Sequence, residues 1–346
     1  MQADTVEAFV NAVPLPMVMI DPDARLGAMN PRAGELFDPA NLNRHYMTAI
    51  RSPVLLDAIE KVARSGEAIK VRYARPQNMK EVIYDVTVSP GRIAEGPVVF
   101  LCFEDRTDTE TAGQIRRDFV ANVSHELKTP LTAVMGFIET LRGPAKDDPA
   151  AHERFLGIMA RESERMSRLV SDLLSLSRVE TDERIRPDKR VDVTALVGSC
   201  IRALTPMAEK LSVDLVQRGT EDPVIVAADS DQLTQVFTNL IENGIKYGGS
   251  GGEVRVEITP IAREPMLRGP AVEIAVTDYG EGFDPIHIPR LTERFYRIDD
   301  HRSREKGGTG LGLAIVKHII NRHRGLFKIQ SAVGQGARFS VILPVI

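Results

Sequence analysis

The chain has 346 residues, enough for two or three domains with cores of their own. It is 43% hydrophobic and 27% charged with a formal net charge of −4, which excludes the basic excess of a nucleic-acid binder. Cys102 and Cys200 stand far apart without metal-type spacing, so neither a disulfide framework nor a zinc site is expected, and no apolar run approaches about 18 residues.

Residues 1–105 read as one small mixed domain. A short helix over residues 6–13 is closed by Pro14 and Pro16. Strands are expected over 17–21 and 25–29, joined by a turn at Asp21-Pro-Asp-Ala24. Asn30 is placed to cap the next helix, with Pro31 at its first position and Phe37 at its end. A second helix over 53–64 stops at Ser65-Gly66. Three β-rich stretches follow, at 68–73, 81–89 and 97–103. In the middle one Val82, Tyr84, Val86 and Val88 alternate with polar neighbours. This element order, with the phrase IDPDARLGAMNPRAGELF, resembles an α+β PAS sensor domain. The resemblance implies ligand binding, dimerisation or relay, and leaves any ligand unknown. There is no flavin-linked cysteine box, and His45 reads as a solvated loop residue rather than a haem ligand.

A charged bridge, EDRTDTE at 104–110, leads into a long helix and a second domain over 106–182. A helix continuous with the sensor region would carry torsion or tilt towards His125. At about 100° per residue, Phe119, Val123, Leu127, Pro130, Val134, Phe137 and Leu141 share one stripe. His125 lies roughly 200° from its centre, on the wet side. Glu126 follows at once, Thr129 sits one turn on, and Pro130 removes a backbone donor. A neutral imidazole is a competent nucleophile near pH 7, and a neighbouring carboxylate can orient it or accept its second proton. SHELKTPL resembles the phosphoacceptor box of the sensor histidine kinases of two-component systems. That resemblance implies that His125 is phosphorylated, that Glu126 is its acid/base partner, and that Thr129 orients water for dephosphorylating a response regulator.

The long helix should stop at Arg142-Gly143-Pro144 and turn back through 145–149. Phe155, Ile158, Met159, Glu162, Met166, Leu169, Val170 and Leu173 then fall on one face of a second helix. Two antiparallel helices cannot hide such stripes alone, so a symmetric homodimer with a four-helix bundle is expected.

After a charged link over 181–187, a third domain (183–346) opens with a helix at 193–210 and a strand at 213–217. In the helix that ends the phrase DSDQLTQVFTNLIENGIKYG, Asn239 and Asn243 are four apart on one face, with Lys246 a turn further. Amide oxygens suit Mg²⁺ when phosphates complete its shell. Glycines then gather in three places. DYGEG at 278–282 follows the apolar run 272–276. GGTGLG at 307–312 opens a helix at 313–321 that offers amide donors to phosphate. GQG at 334–336 turns the closing hairpin, whose last strand is 338–343. The glycine loop has neither P-loop nor dinucleotide spacing.

The order Asn-x3-Asn, DxGxG, ERFYR, GTGLGL resembles the ATP-binding domain of histidine kinases, an α/β sandwich shared with gyrase-type and Hsp90-type ATPases. It implies that Asn243 holds Mg²⁺ with Asn239 beside it, and that Lys246 and Tyr247 approach the phosphates. Asp278 would bond the adenine amino group in a pocket shaped by Gly280 and Gly282, with Phe283 where an aliphatic residue is common. The loop Gly308, Thr309, Gly310, Leu311 and Gly312 is assigned to the nucleotide, its glycines cradling the phosphates. Arg297 would neutralise γ-phosphate charge, and residues 299–306 form a mobile lid.

In the hydrolytic relatives a glutamate that activates water stands in the place of Asn239. An amide cannot act as a general base, so transfer to His125 is favoured over hydrolysis. The resemblance thus implies a multidomain ATP-dependent protein-histidine kinase using Mg²⁺, whose partners are a second copy of itself and a response regulator receiver domain. A conformationally driven ATPase is the alternative. DFVANVSHELKTPLTAVMGFIETL and DHRSREKGGTGLGLAIVKHI are most similar to the phosphate-regulon sensor kinases within the family. The expected location is cytoplasmic, either as a free protein or as the cytoplasmic portion of an anchored sensor.

Overall fold

The computed structural model describes residues 3–77, 80–182, 185–298 and 308–346, which fall into two units, Met1–Ala121 and Asn122–Ile346. In the first, strands β1 (Met17–Ile20), β2 (Leu26–Met29), β3 (Ile69–Gln77), β4 (Lys80–Ile93) and β5 (Gly96–Asp105) form an antiparallel sheet in the order β2-β1-β5-β4-β3. Helices α1 (Ala3–Ala12), α2 (Pro31–Phe37), α3 (Tyr46–Ala49) and α4 (Pro53–Ser65) complete it. Leu26, Leu55, Val62, Val86, Leu101 and Phe103 meet in its core.

Asn30 ties this unit together. It is 2% exposed, and its Oδ1 accepts the N–H groups of Met17 and Ala33 while its Nδ2 donates to the Leu15 carbonyl. One capping side chain thereby joins a strand, a helix start and the α1 connection. Helix α4 stops where the sequence indicates, at Gly66 with φ 70°, whose N–H donates to Val62 O. The last three strands run past their expected ends. The β4–β5 ladder runs through Pro90 and Gly91 to Ile93, because cross-strand pairing overrides local propensity.

Helix α5 (Thr107–Arg142) starts at an Asp105 cap and continues past Pro130 without interruption. In the second unit it faces α6 (Pro149–Asp182). Glu126 meets Arg165, and Phe137 stacks on Phe155 at 5.0 Å, so the two helices run antiparallel. Leu131, Met135 and Ile138 on α5, with Leu156, Val170 and Leu174 on α6, remain exposed. Val170, on the face read from the sequence, is among the residues left exposed in the single chain. Leu169, Leu176 and Val179 of the same helix are buried.

That domain is a mixed sheet under helices. Strands β7 (Asp214–Gly219), β9 (Glu253–Glu264), β10 (Gly269–Asp278), β11 (Leu326–Ser331) and β12 (Ala337–Pro344) pair in the order β11-β12-β10-β9-β7, with only the β7–β9 pair parallel. β6 (Arg190–Asp192) and β8 (Ile225–Ala227) form a small separate ladder. Helix α8 (Ser230–Gly248) packs on the sheet between α7 (Val193–Lys210) and α9 (Gly312–Arg322). Its apolar positions Leu233, Val236, Phe237, Leu240, Ile241 and Ile245 are buried. Strand β9 was not expected from the sequence, although Val254, Val256 and Ile258 alternate with charged residues and are each fully buried. The expected lid, residues 299–306, lies outside the described residues.

His323 pins α9 to the start of α8. It is 1% exposed, its Nδ1 lies 2.7 Å from Ile319 O, and its Nε2 accepts the Asp229 N–H at 3.0 Å. Asp229 is itself the α8 cap, accepting from Asp231 N and Gln232 N. Burial pushes the His323 imidazole below its ordinary pKa, and protonation would remove the Nε2 acceptor. The unfolded chain takes up this proton near pH 6.5 and the folded one does so only at lower pH. Its contribution is therefore complete above about pH 6.5 and is lost as pH falls below it. Thermal melts between pH 8 and 5 should show this loss in the wild type and a smaller pH slope in His323→Gln.

Candidate active site

A cavity of about 520 Å³ opens beside α8. One wall is a single face of that helix: Asn239, Glu242, Asn243, Lys246 and Tyr247. The three- and four-residue spacing that buries Leu240 and Ile241 on one side aligns these polar groups on another. Asn239 Nδ2 donates to Gly312 O at 3.5 Å, and Lys246 Nζ pairs with Glu242 Oε2 at 2.6 Å.

Asp278 ends β10 at the base of the cavity. It is 6% exposed, its Oδ1 accepts the Gly280 N–H at 3.1 Å, and burial pushes its carboxyl up from the usual range. Space around it is made by missing side chains. A Cβ on Gly248 would come within 2.2 Å of the Asp278 Cβ, and one on Gly336, at φ 74°, within 2.0 Å of the Asp278 carbonyl. Only glycine allows the end of α8 and the closing hairpin to approach this carboxylate together.

The far side is the glycine loop. Gly310, at φ 73°, packs against the Phe295 backbone and accepts the Phe295 N–H at 2.9 Å. Tyr296 and Arg297 border the cavity, and the Tyr296 hydroxyl lies 2.7 Å from His287 Nδ1. The remaining wall comes from α6, through Arg168, Ser171 and Asp172. Thr309 Oγ1 donates to Asp172 Oδ2 at 2.7 Å, and burial pushes that carboxyl up. Ser175 Oγ donates to Gln235 Oε1 at 2.8 Å and Glu180 pairs with Arg294, so α6 is attached along several turns.

A second group of candidate residues sits on α5. His125 is exposed, and none of His125, Glu126 and Thr129 lines the cavity. Thr129 Oγ1 donates to the His125 carbonyl at 3.2 Å, so in this structure the hydroxyl is engaged with the backbone. The Glu126 carboxylate accepts from Arg165 Nη2 of α6 at 2.5 Å.

Residues 115–182 match the His Kinase A (phospho-acceptor) domain, and residues 228–346 match the histidine kinase-, DNA gyrase B- and HSP90-like ATPase family. The phosphate regulon sensor protein PhoR of Pseudomonas aeruginosa is 40% identical over 239 residues, which is 68% of this chain and 52% of that protein. The chain belongs to the sensor histidine kinases. Sensor protein kinase WalK of Staphylococcus aureus is 30% identical over 331 residues, 95% of this chain and 53% of WalK. The chain thus spans about half the length of these relatives. The crystal structure of histidine kinase ThkA with response regulator protein TrrA shares the fold, with a TM-score of 0.52 over 98% of both chains at 20% identity. Among the described residues no helix is long and apolar enough to cross a membrane.

In this family member the cavity gathers Asn239, Asn243, Lys246, Tyr247, Asp278, Gly282, Arg297, Gly308, Thr309, Gly310 and Gly312. Two residues assigned to the nucleotide in the sequence are not part of its lining. Leu311 is fully buried as the residue preceding α9, and Gly280 backs onto Gly248 instead. The α6 contribution had no signal in the sequence, because nothing local announces that a second domain will supply a wall. Glu242 did have one, its four-residue offset from Lys246.

Gly248→Ala should push Asp278 out of place. Titration with a fluorescent ATP analogue should show binding weakened about tenfold or more, with the secondary structure by circular dichroism retained.

Proposed function

We propose that this chain is an ATP-dependent protein-histidine kinase that phosphorylates His125 and passes the phosphoryl group to an aspartate of a response regulator. The observation that carries the reading is the pairing, in one chain, of a displayed histidine–glutamate step with a cavity whose α8 wall presents two amides and a lysine. We assign residues 1–105 to a PAS-like sensor domain, 106–182 to dimerisation and phosphotransfer, and 183–346 to catalytic ATP binding.

Asp278 suits the adenine amino group, since a buried carboxylate oxygen is a strong acceptor for an N–H donor. Gly280 and Gly282 shape that pocket. Lys246, Tyr247 and Arg297 lie where the phosphates would run, and the Gly308–Gly312 loop offers amides at the start of α9. The donor chemistry fits magnesium: Asn243, with Asn239 beside it, would hold the ion through an amide oxygen while phosphates supply further ligands. When bound, the ion neutralises charge on the phosphate oxygens.

In the transfer, one imidazole nitrogen of His125 attacks the γ-phosphorus and the bond to the bridging oxygen breaks, releasing ADP. The other nitrogen gives its proton to the Glu126 carboxylate. For the reverse activity on a regulator, Thr129 would turn its hydroxyl from the His125 carbonyl to a water. The exposed stripe of Leu131, Met135, Ile138, Leu156, Val170 and Leu174 supports a homodimer closed as a four-helix bundle. ATP as substrate places the chain in the cytoplasm, as a free protein or as part of an anchored sensor. No ligand is assigned to the sensor domain.

One observation favours hydrolysis instead: Glu242 borders the cavity and could serve water. Its Oε2 is engaged by Lys246 Nζ at 2.6 Å, so that oxygen is committed to the lysine rather than to a water. Incubation with γ-labelled ATP and Mg²⁺ separates the two readings. The expected result is acid-labile, base-stable label on the wild type, none on His125→Ala, and label reduced at least about tenfold in Asn243→Ala. Released phosphate without labelled protein would establish the ATPase.

A further inference from the structure

The salt bridge between Arg165 and Glu126 crosses the hairpin next to the phosphoacceptor and has no part in the reading above. Arg165 sits midway along α6, 39 residues from Glu126 in sequence, and its Nη2 lies 2.5 Å from Glu126 Oε2. The two side chains are only 13% and 16% exposed, although His125, one residue away, is exposed. The guanidinium leans on a second carboxylate as well, Glu162 Oε2 at 3.8 Å. An exposed pair of this kind would be held loosely. A pair withdrawn from water, anchored from another helix and backed by a second acid, holds its carboxylate in one place.

The position matters because His125 and Glu126 are consecutive on a helix and point about 100° apart. A free glutamate there would sample rotamers directed into solvent. With Oε2 bound to Arg165, the side chain is bent towards α6 and Oε1 is the oxygen kept for the imidazole proton. We propose that Arg165 is a positioning residue for phosphoryl transfer, fixing the Glu126 carboxylate so that Oε1 receives the proton of His125 as the other nitrogen bonds to phosphorus. The proposal rests on Glu126 being the proton acceptor. Arg165 itself lies outside the cavity lining. Its effect must therefore appear in the rate of transfer and not in the capture of ATP.

A double-mutant comparison on the full chain tests this, reading phosphohistidine formation from γ-labelled ATP across a range of ATP concentrations. Arg165→Met should lower the maximal rate about 10- to 100-fold, as expected for disturbing a general base, with the ATP KM changed less than about twofold. Arg165→Lys, which keeps the charge and loses the fork, should recover part of the rate. In a Glu126→Gln background the Arg165→Met change should cost less than about twofold, because there is no base left to position. An equal loss in both backgrounds would show a merely structural role and overturn the proposal. So would a wild-type rate in Arg165→Met and Arg165→Lys while Glu126→Gln is slow. A wild-type rate in Glu126→Gln would instead remove the proton role of Glu126, and the proposal with it.

Discussion

The nucleotide half of this chain is built around a carboxylate that three backbones approach at once. Asp278 stops a central strand, and the end of α8, the DxGxG turn and the closing hairpin converge on it because Gly248, Gly280 and Gly336 carry no side chain. The desolvation that raises the Asp278 carboxyl is the direct result of that convergence. The amides of α8 are placed by the same packing, since the helix is fixed at its far end by this crowding and at its start by the Asp229 cap and His323. A ligand meets a wall whose two ends are both anchored.

The phosphoacceptor end follows a different logic. There a helix runs through Pro130 and keeps its histidine in water, while the acid beside it is drawn to the neighbouring helix. Proline removes the amide that would close the turn beginning at Glu126, and the Thr129 hydroxyl adds a bond to the His125 carbonyl one residue earlier. The backbone at the reactive turn is thus held partly by side chains. An exposed histidine and an enclosed cavity carry opposite demands, and two helices packed on a sandwich meet both.

Much of this was legible in the residues. The capping signal at Asn30, the stop at Gly66, the 3.6-residue stripes and the glycine clusters located most elements within a few positions. What escaped did so for physical reasons. Strand β9 was hidden in a charged stretch, because a period of two in Val254, Val256 and Ile258 is a short signal beside a helix's. β4 ran on through Pro90 because a partner strand was there to pair with it. Leu311 belongs to a motif yet serves the core, and a motif does not state which of its side chains turn inward. Arg165 and Asp172 act across long sequence separations, and such contacts leave no local trace.

Helix α6 closes the cavity with Asp172 hydrogen-bonded to Thr309, so part of the cavity wall belongs to the α5–α6 hairpin. Reciprocity follows. Whatever fills the cavity with more negative charge works against the Asp172 wall, and whatever draws α6 aside changes the affinity for that ligand by the same factor. The cavity and the hairpin share one wall, so a change at Asp172 is a change to both.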